Sequence, residues 1–466
     1  MVKKNSSYKI EKLNDYQKAK TRKYSIVEGS SAAVMTGAGD SYVTPYAVEL
    51  KANNGEIGLL TSLAGLLGPI AQLFGSKAIE RYHRKKLITL AVSLQATTWL
   101  VMLVLGFIFL KQGQTSYLIP LLILSYVLFA VFGSFGNPAW FSLMGDIVPE
   151  HMRSKYFSNR SKITGTFSIT ATIFGAILLY YFREQGIIIY GFIVLFAIAA
   201  VGRYISAYFF TKHYVSKIKF DKDYYFSFWQ FIKKAPFNNF GKFAIFVALI
   251  HLSVNIAGPF FSVYMWKDLG FNPIWFMIVN ISASIFTIIF LPMWGKFATK
   301  YGNREMMRIG SILIVTLPFW WLISSNPIFL IVVPQLVSGI GWAAFNLGAS
   351  NFIYDAVTVQ RRAICVAYYS LLNGIGVFLG ASLGGLITQF AQINFMNIFL
   401  FVFLISGIAR GIVVLIMFKK IHEVKNVAPP KENMFFYLRE FKHFIDSKPI
   451  HGHMGRKRLQ DVKIIK

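Results

Sequence analysis

The chain has 466 residues, of which 55% are hydrophobic and only 15% charged, with mean hydropathy +0.51 and a formal net charge of +28. Soluble domains carry about 25% charged residues, so this much apolar surface needs lipid as its solvent. The basic residues sit between long apolar runs, which excludes the nucleic-acid surface that such a charge otherwise suggests, and the single cysteine, Cys365, excludes an internal disulfide or a cysteine metal site.

Residues 1–24 form a basic arm (Lys3, Lys4, Lys9, Lys12, Lys18, Lys20, Arg22, Lys23) without an apolar run, so no cleavable signal peptide is expected ahead of the first span. A membrane-crossing helix needs about 20 apolar residues. Twelve stretches qualify: 25–48, 57–79, 87–110, 117–143, 163–182, 187–210, 243–265, 274–298, 308–324, 328–353, 363–390 and 396–418. The sequence therefore predicts an all-α membrane protein of twelve transmembrane helices. After the second span comes Glu80-Arg81-Tyr82-His83-Arg84-Lys85-Lys86. Arg153, Lys155, Arg160 and Lys162 follow the fourth, and Lys300, Arg304, Arg308, Arg361 and Arg362 follow the eighth and tenth. The alternate loops hold only Lys51, Lys111, Arg183 and Lys267. Cationic loops stay on the cytoplasmic side. This predicts a multi-pass protein of the cytoplasmic membrane with both termini inside, touching the anionic inner leaflet. Residues 211–242 mix Lys212, Lys217, Lys219, Lys222, Lys233 and Lys234 with Tyr224, Phe226, Phe228, Trp229 and Phe231, as a cytoplasmic linker with a membrane-surface helix does. The tail 419–466 is basic and has Pro429-Pro430 near its start.

The chain also repeats itself. Ala38-Gly39 recurs as Ala257-Gly258, Leu50 and Asn53 as Leu269 and Asn272, and Arg81-Tyr82 as Lys300-Tyr301, each 219 residues on. Asp146, Arg153, Gly165 and Gly175 recur 209 residues on as Asp355, Arg362, Gly374 and Gly384; Arg203 recurs as Arg410. An ordered series with a slowly drifting offset predicts two six-helix bundles, 25–210 and 243–418, in the same topology, a parallel repeat of the kind transporters use.

These matches fall where the major facilitator superfamily has its G-x-x-x-D-R-x-G-R-K signature. The loop from Gly75 through Glu80-Arg81-Tyr82-His83-Arg84-Lys85 resembles the first copy, and Gly295-Lys296-Phe297-Ala298-Thr299-Lys300-Tyr301-Gly302-Asn303-Arg304 resembles the second. The resemblance covers nearly all of residues 25–418. It departs from the pattern at Glu80, at His83, at Thr299 and in the spacing of Gly75. The resemblance implies that Glu80 and Arg84 meet Asp146, and Arg304 meets Asp355, as latches at the cytoplasmic helix ends. Asp146 and Asp355 each precede an arginine, Arg153 and Arg362, by seven residues. It also implies that the first, fourth, seventh and tenth helices line a cavity that rocking of the halves exposes to each side in turn.

Asp40 lies within the first span, with Thr36 and Thr44 four residues to either side. A carboxylate there costs about 2.5–3.5 kcal/mol on insertion scales. It is therefore a proton or cation coupling site or, alternatively, a structural hydrogen bond near the outer interface. Glu28, at the start of the same helix, is expected to be solvated where the helix dipole favours negative charge. His251, Asn255, Gly258 and Ser262 share one stripe of the seventh span. His251 reads either as a packed histidine or as a second coupling group. Gln335, Trp342, Asn346 and Ser350 of the tenth span, Asn137, Pro138 and Trp140 of the fourth, and Tyr368, Tyr369 and Asn373 of the eleventh offer amides, hydroxyls and indoles. Such groups suit a polar small solute, and equally hold helices together. Gly376, Gly380 and Gly384 are expected at the interface between the halves, and Arg203 and Arg410 are expected to snorkel toward the cytoplasmic surface.

The expectation is a monomeric secondary transporter for a small solute, coupled to protons or another cation, without cofactor, metal or enzymatic activity. The alternatives are a transporter-like sensor or adaptor, and a drug efflux antiporter. The fifth span lacks the proline-containing glycine motif of family drug antiporters, which counts against the last. No nucleotide-binding P-loop appears.

Overall fold

The computed structural model describes residues 13–149, 153–215, 227–357 and 359–424, all helices and connections. The first half comprises α1 (Asp15–Ala38), α2 (Val43–Glu49), α3 (Asn54–Arg81), α4 (Arg84–Gln112), α5 (Leu118–Ile147), α6 (Arg153–Glu184) and α7 (Ile188–Thr211). A short helix, α8 (Phe228–Lys234), precedes the second half. That half comprises α9 (Asn239–Val263), α10 (Pro273–Tyr301), α11 (Asn303–Trp320), α12 (Pro327–Leu330), α13 (Leu336–Ala356), α14 (Val359–Phe390) and α15 (Ile398–Met417). A π turn at Ile331–Gln335 joins α12 and α13 into one rod. Ten of these rods are long and apolar enough to cross a membrane. The other two, α1 continued by α2 and α11, stand where the first and ninth spans are expected. Helices suit lipid because each backbone donor finds its acceptor within the same segment.

Side-chain caps set many of the helix starts. Asn53 accepts from the Glu56 amide while Glu56 reaches back to the Asn53 amide, and Asn14 and Gln17 do the same for α1. Asn272 caps α10, and Pro273 fills its first position, where no amide is missed. Gly302, at φ 89°, makes the one-residue turn from α10 into α11, a conformation that L side chains resist. Several helices outrun the predicted spans at the basic end: α1 begins at Asp15 and α6 at Arg153. Hydropathy marks only the length buried in apolar surroundings, whereas helical hydrogen bonding continues into water.

At one end, opposite the basic loops, the two halves share a core. Tyr42, Tyr46, Trp99 and Phe196 of the first half belong to one cluster with Phe260, Tyr264, Trp266, Trp321 and Phe403 of the second. At the basic end the clusters are separate. Ile88, Val92, Ile147 and Phe210 form one in the first half, and Phe243, Phe246, Phe352 and Tyr368 form another in the second, where Leu73 of α3 reaches it.

Gly376, Gly380 and Gly384 do not lie between the halves. They press on α9 of their own half, where a Cβ would stand 2.3, 2.1 and 2.0 Å from the carbonyl oxygens of Ala248, Leu252 and Ile256. The opposite side of α14 meets α3 across the halves, Val377 over Gly65 and Gly385 over Gly58. Arg203 and Arg410 do not snorkel either. Arg410 is 1% exposed and donates to the Ile314 carbonyl (2.9 Å) and to Ser406 (3.1 Å). Pro318 has no amide to offer Ile314, so that carbonyl is left for the guanidinium. Arg203 donates to the Gln95 side chain at 2.7 Å, and Gln95 donates to the Phe129 carbonyl. Dense packing with carbonyls inside the bundle supplies what the surface otherwise supplies.

Gly380→Val should abolish the α9–α14 approach, because the obstructing atom is backbone and cannot rotate away. Overpacking costs about 1–3 kcal/mol or more, so the purified variant should melt several degrees lower or elute as aggregate. Gly165→Ala, where nothing lies within 4 Å of the new Cβ, should melt at or above the parent temperature.

Candidate functional site

The first span is broken where Asp40 stands. Helix α1 ends at Ala38, a 3-10 turn covers Asp40–Tyr42, and α2 resumes at Val43. Pro45 has no amide for the Ser41 carbonyl, and Gly39 lets the chain pass Trp99, which a Cβ would approach to 2.7 Å. The break carries Asp40 to Tyr126 of α5, whose hydroxyl donates to Oδ1 at 3.0 Å. Thr36 is exposed and bonds the Ala32 carbonyl, and Thr44 lies past the break, so the two do not flank Asp40 on one helical face.

Glu28 is not solvated. It is 2% exposed, and its Oε1 accepts from Arg160 at 2.9 Å, Trp140 at 3.3 Å and Ser25 at 3.3 Å. The sequence gives no hint of this pairing, because Arg160 comes from a segment that reads as a basic loop.

In the second half, the His251 ring faces Trp342 at 6.1 Å, and the Asn255 side chain donates to the His251 carbonyl at 2.8 Å. Ser262, Gln335 and Asn373 are partly buried. Asn346, Ser350 and Tyr354 form an exposed row on α13, as Asn137 and Phe141 do on α5. Tyr369 lies flat on Phe243 (5.6 Å, 3°), and Tyr368 stacks on Phe231 beside α8.

The basic end carries a pair of matched contacts. Arg84, 4% exposed, donates to Asp146 at 2.8 Å and to Ser142 at 2.9 Å. In the second half the place of Arg84 is taken by Asn303, 219 residues on, which donates to Asp355 at 2.6 Å and accepts from Asn351 at 3.1 Å. The expected partnership of Arg304 with Asp355 is therefore corrected by one residue. Arg304 turns instead to the Ile421 carbonyl (2.6 Å), and its amide donates to Glu423. The side chains of Glu80, Arg153 and Arg362 lie outside the described residues.

Among the described residues, the hydrogen bonds between the halves lie at the opposite end. The Trp266 indole donates to Glu49 at 2.8 Å, Arg183 donates to the Phe271 carbonyl at 2.8 Å and lies over Trp266, and Asn54 and Gly55 reach Thr388 and Gln389.

Two similar halves that share a core and hydrogen bonds at one end and, among the described residues, keep separate buried clusters at the other fit a multi-pass membrane transporter. The chain belongs to the Major Facilitator Superfamily, whose family model matches residues 29–240 and 243–458. It is similar to the quinolone resistance protein NorA of Staphylococcus aureus (strain MRSA252), 26% identical over 143 residues. That match covers 31% of this chain and 36% of NorA, so the chain spans about a third of that relative's length. Its fold is similar to the nucleoside transporter NupG, with TM-score 0.61 and 16% identity over 93% of this chain and 100% of NupG. It also resembles a bacterial homologue of the iron transporter ferroportin in an inward-facing state, with TM-score 0.65 and 15% identity over 87% of this chain and 98% of that one. An outward-facing structure of a bacterial ferroportin homologue gives TM-score 0.55 at 14% identity over 86% and 98%.

Just beyond α7, His213 is 2% exposed and lies between Tyr24 and Phe210. Burial, with the charges of Lys85 and Arg160, pushes its imidazole down to about 4. The neutral ring therefore stabilises the fold above the ordinary value near 6.5, and that contribution, up to ~3 kcal/mol, is lost as pH falls from 6.5 toward 4. The melting temperature should drop between pH 7 and pH 5 by less in His213→Phe than in the parent. An equal drop in both would assign the acid sensitivity elsewhere.

Proposed function

We propose that the protein is a secondary carrier that moves a small organic solute across the cytoplasmic membrane by alternating access, with proton coupling at Asp40. The observation that carries this reading is the one-sided closure: hydrogen bonds and a shared core at one end, separate clusters at the other. The excess of Lys and Arg at the separated end supports placing that end, with both termini, in the cytoplasm. On this reading the molecule is inward-facing, and its greater likeness to the inward-facing than to the outward-facing ferroportin homologue agrees. The matched Arg84–Asp146 and Asn303–Asp355 contacts then sit at the cytoplasmic helix ends, where they set the resting equilibrium between states.

Asp40 supports coupling because it is the carboxylate at the broken point of the first helix, held by a neutral hydroxyl rather than by a counter-charge. The likeness to NorA favours an amphipathic aromatic solute, hence efflux, as the second reading.

The test is flux in proteoliposomes carrying a proton gradient, with uridine, glycylsarcosine, norfloxacin and ethidium as probes. Gradient-dependent movement of one probe, lost in Asp40→Asn, supports the carrier. Movement that is unaffected by the gradient and by Asp40→Asn removes the coupling assignment. Binding without flux by any probe moves the assignment to a sensor.

Glu49→Ala with Arg183→Ala should shift the molecule toward the outward-open state. Each lost hydrogen bond is worth about 1–1.5 kcal/mol, which moves a two-state population roughly tenfold or more. Labelling of Thr36→Cys, in a Cys365→Ser background, by an impermeant maleimide added outside should rise accordingly. Unchanged labelling would show that these bonds do not set the equilibrium.

Helix α8 and the 3-10 turn that follows it, Ala235–Phe237, support the lipid contact. Phe231 and Ala235 are buried, whereas Trp229 and Phe237, 72% and 85% exposed, flank Lys233 at four-residue spacing. Aromatic rings beside lysine suit an anionic interface. Trp229→Ser with Phe237→Ser should erase the extra thermal stability expected in phosphatidylglycerol nanodiscs over phosphatidylcholine ones. Retained stabilisation would place the lipid contact elsewhere.

A further inference from the structure

Within the second half, α9, α10, α14 and α15 contain no Asp or Glu, α13 has only Asp355 at its end, and α11 has Glu305 in its first turn, buried and paired with Arg308 on the same helix. The first half places both Glu28 and Asp40 on its first span. Glu28 is the more heavily invested of the two. Arg160 of α6 donates Nη2 to Glu28, and Nε to the Ser25 carbonyl (3.1 Å) and hydroxyl (3.3 Å). Its guanidinium lies over the Trp140 ring at 4.9 Å, and the Trp140 indole N–H also points at Glu28. Gly29 makes the crossing feasible, since a Cβ there would stand 2.3 Å from Arg160 Nη2. The Arg160 side chain nevertheless keeps 16% of its surface exposed.

The internal repeat supplies a control. At the offsets that relate the halves, Glu28 corresponds to Val247, Arg160 to Tyr369 and Trp140 to Ala349. Val247 and Ala349 are buried, and Tyr369 stacks on Phe243. The second half builds the same junction of three helices without a charge. A buried ion pair generally adds little over packed apolar groups, so architecture does not account for the pair.

The surface beside it on α5 is exposed at Asn137 and Phe141. On α5, Leu121, Leu124 and Leu128 are exposed near one end. Asn137 follows Leu128 by nine residues, which is about half a turn around the helix at roughly 100° per residue. Exposed leucines suit lipid, and Asn137 and Phe141 lie on the opposite side of α5. Phe141, 65% exposed, touches Trp140 edge-on at 5.1 Å. A guanidinium and two aromatic rings thus lie together at that side of α5, the guanidinium partly and the Phe141 ring largely exposed.

We propose that Arg160, Trp140 and Phe141 form a subsite for a planar aromatic carboxylate, and that Glu28 holds Arg160 while the subsite is empty. This rests on the carrier reading above. An incoming carboxylate takes Arg160 by a charge-assisted, fork-shaped hydrogen bond. Glu28 is then buried with only Trp140 and Ser25 as donors, and a buried carboxylate without its counter-charge takes up a proton. One anion and one proton bind together, so the charge of the site is conserved. The other groups around Glu28 are Arg203 of α7, Tyr156 of α6, which donates to the Arg22 carbonyl, and His213 beyond Arg160. None is a second carboxylate that would take the proton instead; Arg203, held by the neutral Gln95 amide, keeps its charge but gives Glu28 no hydrogen bond among the described residues, so Arg160 is the cation whose departure exposes Glu28 to protonation.

The test is calorimetric titration of the purified full chain with indole-3-acetate, indole-3-acetamide and tryptamine, in two buffers of unlike ionisation enthalpy. The acid should bind with uptake of about one proton, and the amide and amine at least about tenfold more weakly, as expected when a charge-assisted pair is lost. Glu28→Gln should bind the acid without proton uptake. Arg160→Gln, and independently the milder Trp140→Phe with Phe141→Leu, should weaken the acid more than the amide. Equal affinity for acid and amide, proton uptake unchanged in Glu28→Gln, or no binding of the acid overturns the subsite. Flux of uridine, glycylsarcosine or ethidium in the same preparation would leave the carrier reading standing after such a failure, whereas loss of both fells both.

Discussion

The seam formed by α14 organises the molecule. Lipid gives helices no hydrophobic reason to associate, so they hold together by close packing. Helix α14 achieves this on two sides at once. Gly376, Gly380 and Gly384 lie against the carbonyls of α9 within the second half, while Val377 and Gly385 meet Gly65 and Gly58 of α3 in the first. One helix is therefore fixed to its own bundle and forms the track along which the other bundle rests. The aromatic core at the non-basic end depends on that register, because Phe260 of α9, on which Gly384 closes, belongs to it.

The two halves share geometry more than chemistry. Arg84 and Asn303 occupy one place and reach corresponding acids, one by an ion pair and the other by an amide. Glu28, Arg160 and Trp140 have apolar or aromatic counterparts. Gene duplication fixes the helix paths, and each copy is then free to place charge where its own task needs it. The carboxylates Glu28 and Asp40 of the first span, whose matching positions in the second half are Val247 and Pro259, make the first half the one that handles protons in the function proposed here.

Polar groups inside the bundle are satisfied by local departures from helical regularity. Pro318 leaves the Ile314 carbonyl to Arg410, and Pro45 with Gly39 breaks the first span where Asp40 meets Tyr126. Such breaks cost helix hydrogen bonds, and they are tolerated at membrane depth because neighbouring side chains supply the missing partner.

Sequence alone determined the membrane class, the helical spans, the two-fold repeat and the family, since each depends on local composition or on spacing along the chain. A carboxylate in an apolar run is a local signal, which is why Asp40 stands out in the sequence, and the resemblance of the signature loop implied the contact of Arg84 with Asp146 that the structure contains. The sequence reading missed by one residue at Asn303, which stands where the motif has its arginine, while the neighbouring Arg304, at the position of Lys85, is drawn away to Ile421 and Glu423 beyond the last helix. It gave the wrong environments for Glu28, Arg203, Arg410 and the α14 glycines. Each of those depends on which face of a helix meets which neighbour. In a chain apolar on nearly every face, periodicity does not mark the buried side, and only the packed bundle decides it.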